Sequence, residues 1–251
     1  GVLQRIAIVF VICAFMYLFT SYRFWISFSV SVLLLYWIAL VFVPVPGVGA
    51  GILEPGQNLT NWIDEILLPG KRWEGTWDPE GLLSTLPAIV TCIMGMLGGR
   101  YLYMHTSDDK RVIFLFFTGF ICFISGVVWD WFFPMNKNLW TSSFVLYTGG
   151  LASMSLAFFY QLIDVLNYKK WAQIGLIFGA NAITAYVLAG ILGRLVSIPI
   201  GETSVRQNSF EPLAQLTGNA ELASLIWALA FGAICFAPVY WLYRKKIFIK
   251  V

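Results

Sequence analysis

Long apolar runs separated by short polar connections leave this chain few folds to adopt. The runs cover 3–22, 24–43, 82–103, 112–132, 142–165, 171–195 and 222–243. About 20 such residues suffice for a helix to cross the hydrocarbon core of a bilayer. Of the 251 residues 59% are hydrophobic and only 12% charged, well short of the roughly one-quarter charged residues of a soluble domain. A transmembrane barrel would alternate apolar and polar residues at every second position, and these runs do not. The expected fold is all-α: a polytopic transmembrane helical bundle of about seven spans, one transmembrane domain over 1–251, itself a fragment of a larger bundle. The opening GVLQRIAIVF lies at the edge of an apolar run, and further helices of the same protein are expected to precede it.

Charge is distributed unequally between the two sides. The tight turns and the tail YRKKIFIKV carry Arg23, Arg100, Lys110, Arg111, Lys169, Lys170, Arg244, Lys245, Lys246 and Lys250 against Asp108, Asp109 and Asp164. The other side carries the remaining six bases and ten acids. Lys and Arg in short loops favour the cytoplasm, so the turns and the C-terminus are expected inside and the long loops outside. No basic face interleaved with aromatics suggests nucleic acid. Cys13, Cys92, Cys122 and Cys235 lie inside apolar runs without C-x-x-C spacing, so neither a metal site nor a disulfide framework is expected. The lone His105 sits in an inner turn away from the polar loops and is read as a surface residue.

Chemistry is expected in the outward loops. The 44–81 loop is long, and long loops without structure are uncommon unless functional or disordered. Its NWIDEILL stretch suggests a short amphipathic helix with Asn61 as N-cap and Trp62, Ile63, Ile66 and Leu67 on one face, so the loop is expected to be ordered. A second long outward loop is expected over 196–221. In WDPEG, Asp78 reads as an N-cap, Pro79 as the first helical residue and Glu80 as a first-turn acid; the same acids can also face a cavity. The outward PMNKNLWTSSF brings Asn136, Lys137, Asn138, Trp140, Thr141, Ser142 and Ser143 to that side. Such amides, hydroxyls and indoles bind a sugar's hydroxyls and apolar ring face, or simply form a polar loop with an interfacial Trp. Asn181 and Thr184 fall one turn apart within the sixth span and read as interhelical glue. Arg5, near an outer helix end, is placed to snorkel or to pair with an outward acid.

Several strings taken together resemble one family: GVLQRIA, PVPG, LEPGQNLTNWID, WDPEGLLSTLPAI, NKNLWTSSFVLYTGG, GANAI and LYRKKIFIKV. They are similar, in order along the chain, to the membrane acetyltransferases typified by the heparan-α-glucosaminide N-acetyltransferases and their bacterial relatives. The resemblance implies an enzyme of a bacterial inner membrane that takes acetyl from cytoplasmic acetyl-CoA, as co-substrate, and gives it to a glucosamine-type amino sugar on the periplasmic side. Its implied partners are the lipid bilayer and the acceptor sugar, with a homodimer also open. By resemblance Asp78, Glu80, Asn136, Lys137, Asn138, Trp140 and Asn181 shape the acceptor side. Arg244, Lys245 and Lys246 are candidates for the phosphates of coenzyme A, which Arg and Lys hold by charge-assisted hydrogen bonds; plain positive-inside anchoring is the other reading. The family's histidine, acting as base or as acetyl carrier, belongs to a segment that would precede Gly1, so no catalytic residue is expected within this chain. Some relatives carry transporter-like names, and an amino-sugar or N-acetylglucosamine transporter is the alternative function. A transporter would predict inverted repeats, and no clear repeat is visible.

Overall fold

Apolar length makes the helices of this protein, and polar residues at their ends decide where each begins. The computed structural model describes residues 1–68, 77–201 and 203–249; Lys250 lies outside them. Among the described residues six helices are long and apolar enough to cross a membrane, and a bent helix pair brings the number to seven if it counts as one span. The fold is all-α and polytopic, with one two-residue β pairing. The chain divides into two units, Gly1–Leu166 and Asn167–Val251.

The first unit contains α1 (Val2–Phe19), α2 (Tyr22–Phe42), the short α3 (Leu59–Leu67), α4 (Leu82–Met104), α5 (Asp108–Asp130) and α6 (Ser142–Tyr160), which continues into a π-helical turn, Gln161–Val165. α4 is central and packs against α1, α2, α3 and α6. Cys13, Met16 and Trp25 meet Ile89 and Ile93 on one side of it; Leu33 and Val145 meet Val90 on another. α5 and α6 approach to backbone contact through glycines. A Cβ on Gly150 would lie 2.4 Å from the Phe123 nitrogen, and one on Gly126 would lie 2.5 Å from the Tyr147 nitrogen. Lipid supplies no hydrophobic drive between helices, so close packing of small residues takes its place.

The expected helix in the 44–81 loop is α3, but its cap is Asn58, whose side chain accepts from the Asn61 N–H, rather than Asn61 itself. Its buried face is polar as well. Thr60, Asn61 and Asp64 are buried, whereas Ile66 and Leu67 are exposed. The reason is a local hydrogen-bond network: Asn58 Nδ2 donates to the Glu54 carbonyl and to Asn61 Oδ1, which also accepts from the Gly56 N–H. Buried amides are tolerated when fully partnered in this way.

The second unit contains α7 (Gln173–Ala180), α8 (Ala182–Ser197), the strand pair β1 (Pro199–Ile200) and β2 (Thr203–Ser204), α9 (Val205–Thr217) and α10 (Ala220–Arg244). Two sequence expectations change here. The run 171–195 is not one straight helix, because α7 and α8 meet at 83° with Asn181 (φ −132°, ψ 45°) between them. The 196–221 loop is largely helical. α9 opens on a reciprocal Ser204–Gln207 capping box and closes on Gly218 in the left-handed conformation, an ordinary start and stop for a helix.

Candidate functional site

The WDPEG segment does not begin its helix in the way its composition suggests. Asp78 Oδ1 accepts the Glu80 N–H at 2.8 Å, which forms an Asx turn. The helix starts only at Leu82, with Gly81 in the N-cap position. Glycine has no side chain to cap with, and Asp64 of α3 takes the role, its Oδ1 accepting the Leu82 N–H at 2.8 Å. The arrangement demands glycine at 81, since a Cβ there would fall 1.7 Å from Asp64 Oδ2. Asp78 and Glu80 are both half-buried. Among the described residues the Glu80 carboxylate has no hydrogen bond or ion pair.

Arg5 lies across this same helix start. It is 7% exposed, and its Nη2 donates to the Pro79 carbonyl at 2.9 Å, to the Gly81 carbonyl at 3.4 Å and to Ser84 Oγ. The Trp140 ring covers its guanidinium at 5.2 Å. Glu80, Asp78 and Asp64 are all close enough to act on its charge, yet among the described residues none forms an ion pair with it within 4.0 Å. Its Nε and Nη1 are buried without an acceptor. A permanently charged group with unmet donors is costly in a fold, and such groups call for a functional or structural explanation.

The NKNLW segment divides its labour. Asn136 Oδ1 accepts from the N–H groups of Asn138 and Leu139, so its amide oxygen shapes the loop. Lys137 and Asn138 are exposed. Trp140 turns inward with φ at 54°, a left-handed conformation that costs a non-glycine residue energy, and its Nε1 donates to Thr91 Oγ1 of α4 at 3.1 Å. Thr141, Ser142 and Ser143 are fully buried and stitch the loop to the bundle. Ser142 Oγ donates to the Leu33 carbonyl and Ser143 Oγ to that of Phe133; Tyr36 donates to the Leu139 carbonyl at 2.5 Å. The structure thus gathers Asp78, Glu80 and Trp140 around Arg5 and leaves Lys137 and Asn138 at the loop surface. Asp64 and Tyr36 escaped the sequence reading. The signal that could have found the centre was Arg5 itself, since a charge inside an apolar run marks a functional position by default.

His105 is less of a surface residue than expected. It is half-buried, stacked on Tyr101 at 3.9 Å, with Nδ1 3.1 Å from the Tyr101 carbonyl. Beside it Arg111 donates to the His105 carbonyl, to Tyr160 and to Asp108. This knot ties α5 to α6 and absorbs the histidine into the scaffold.

In the second unit the basic tail forms its own feature. Arg244 and Lys245, with Tyr240 and Trp241, line a shallow groove of about 370 Å³. Arg244 Nη1 donates to the Tyr240 hydroxyl at 3.1 Å. Lys245 and Lys246 are exposed; Lys246, at φ 56°, turns the chain back rather than lining the groove. Asn181 is fully buried. Its Nδ2 donates to the Ile247 carbonyl at 3.1 Å and its Oδ1 accepts the Ile249 N–H at 2.9 Å.

No family model matches the chain. Among curated proteins it is similar to the heparan-alpha-glucosaminide N-acetyltransferases of Homo sapiens and Mus musculus, each 28% identical over 250 residues. Both alignments take in 86% of this chain, against 35% of the human protein and 36% of the mouse protein. The chain therefore spans about a third of the length of these relatives. The heparan-alpha-glucosaminide N-acetyltransferases are thus what the chain is similar to over most of its own length.

Proposed function

We propose that this chain is part of a membrane acetyltransferase that moves acetyl from acetyl-CoA on the cytoplasmic side to a glucosamine-type amino sugar on the opposite side of a bacterial inner membrane. The observation that carries this reading is the similarity to two N-acetyltransferases over 86% of the chain.

The chemistry of each unit supports it. An amino sugar arrives as an ammonium, and Glu80, half-buried and without a partner among the described residues, supplies a carboxylate to receive it, with Asp78 beside it. Arg5 lies close enough to both carboxylates to feel their charge. Lys137 and Asn138 at the loop surface offer hydrogen bonds to sugar hydroxyls. On the donor side Arg244 and Lys245 face a groove that suits the phosphates of coenzyme A, and Trp241 gives its adenine an aromatic surface. Attack on the thioester needs the amine in its neutral form, so a base must remove its proton. The resemblance implies a histidine, as base or as acetyl carrier, without a counterpart in this chain, and no residue here is assigned the task.

One observation favours a transporter instead. The 83° break between α7 and α8 is of the kind that forms substrate sites in carriers. A single experiment separates the two. The full-length protein is placed in liposomes with radiolabelled acetyl-CoA on one side and glucosamine on the other. Acetylated sugar identifies the enzyme, and unmodified sugar crossing the bilayer identifies the carrier. In the same assay Glu80→Gln should lower acetyl transfer about tenfold or more, the scale of one charge-assisted hydrogen bond, while thermal stability holds. Wild-type transfer would remove Glu80 from the acceptor site.

A further inference from the structure

Asn181 occupies an unusual position for a polar residue in an apolar run. It has no exposed surface, it stands at the corner where α7 ends and α8 begins, and both ends of its amide are spent on one short piece of chain. Nδ2 holds the carbonyl of Ile247, and Oδ1 holds the N–H of Ile249. Those residues directly follow Arg244, Lys245 and Lys246. Lys246 adopts a left-handed backbone, closed by the Ile247 N–H bond to the Leu242 carbonyl at 3.0 Å, and the tail folds back so that Phe248 meets the Tyr243 ring at 6.1 Å. A tail released from Asn181 would lose the partners of two backbone groups, leaving the Ile247 N–H bond to the Leu242 carbonyl as the closure around Lys246.

We propose that Asn181 is the positioning residue of the basic tail: by clamping Ile247 and Ile249 to the α7–α8 corner it sets the direction in which Arg244 and Lys245 face the groove, and through them the affinity for a phosphate-bearing donor. This rests on the donor reading of the tail given above. Asn181 itself touches no substrate. Its amide does for the tail what an outer-layer hydrogen bond does for a metal ligand, fixing the orientation of the groups that bind.

The test uses full-length protein in nanodiscs, carrying Asn181→Ala, Asn181→Asp or the triple change Arg244→Gln, Lys245→Gln and Lys246→Gln. Coenzyme A binding is measured by calorimetry, hydrogen exchange is followed over 245–249, and KM is determined separately for acetyl-CoA and glucosamine. N181A should lose protection at the Ile249 amide and bind coenzyme A about tenfold more weakly, roughly the worth of one buried hydrogen bond, with the glucosamine KM unchanged. N181D keeps an acceptor for Ile249 but no donor for Ile247, and should fall between N181A and wild type. A general loss of structure would instead move both KM values together. Wild-type coenzyme A affinity in N181A, with protection lost, overturns the positioning role and leaves the proposed acetyltransferase standing. Wild-type affinity in the triple variant overturns the donor reading and this inference with it. Should N181A fail to assemble, N181D decides alone: weaker coenzyme A binding at an unchanged glucosamine KM supports the clamp, and unchanged binding overturns it.

Discussion

The two units of the chain hold their polar groups in opposite ways. In the first, a dense set of buried polar residues gathers at one end of α4: Arg5, Asn58, Thr60, Asn61, Asp64, Ser84, Thr85 and Thr141 to Ser143. In the second, Asn181 and Ser204 are the buried polar residues among those described, and the cations stand in the open. The contrast extends to glycine. Gly81, Gly119, Gly126 and Gly150 of the first unit have atoms at 3.0 Å or nearer to where a Cβ would go, whereas Gly175, Gly179, Gly190 and Gly232 of the second have nothing within 4 Å. The first unit thus has close backbone approaches along α5–α6 and at the start of α4, although Gly95 and Gly99 on α4 meet nothing within 4 Å. The second leaves Gly175, Gly179, Gly190 and Gly232 without close neighbours, and the Asn181 amide ties its tail to the α7–α8 corner.

The strongest challenge to this contrast is Gly150→Ala. The added methyl would press on the backbone of α5, which cannot rotate out of the way, so a loss of about 3 kcal/mol is expected, read as a fall in the midpoint of thermal unfolding in detergent. Stability close to wild type would show that α5 and α6 are free to separate. Gly81→Ala comes next, at about 2 kcal/mol. It displaces Asp64, a side chain able to swing aside, and the expense is the lost cap of α4; an Asp64→Ala variant should then make Gly81→Ala nearly silent. Trp140→Phe keeps a ring over Arg5 and removes the hydrogen bond to Thr91, so about 1 kcal/mol is expected. A much larger loss would mean that the indole is wedged by shape. Smallest of all, Gly190→Ala in α8 should stabilise the protein by about 0.5 kcal/mol through helix propensity alone. Destabilisation there would contradict the open space around Gly190.

The same division governs what could be read from the residues. The spans were legible because apolar length is a local property, and α9 would have been, since Ser204 and Gln207 stand at capping-box spacing ahead of a left-handed Gly218. The polar composition of 196–221 points to a loop instead, and the capping box decides against it. The break at Asn181 was not legible, because an asparagine in an apolar run looks the same whether it bridges two helices or marks a corner. At the start of α4 Asp78 and Glu80 were legible, but the residue that caps the helix was not. Asp64 lies 18 residues upstream of the N–H it accepts, beyond the reach of any local capping pattern. His105 was half legible: its place in a turn was plain, its stack on Tyr101 was not.

Composition and spacing by themselves determined that this chain has several helices long and apolar enough to cross a membrane, because the expense of placing charge or unpaired backbone in hydrocarbon acts on each segment separately. Tertiary structure alone decided which polar groups are spent on the scaffold and which remain for chemistry. Arg5 meets Ser84 across 79 residues, Tyr36 meets Leu139 across 103 and Asn181 meets Ile249 across 68. A buried donor must find an acceptor somewhere in the fold, and only the folded chain shows where each one does, or, as at Arg5, where two donors find none among the described residues.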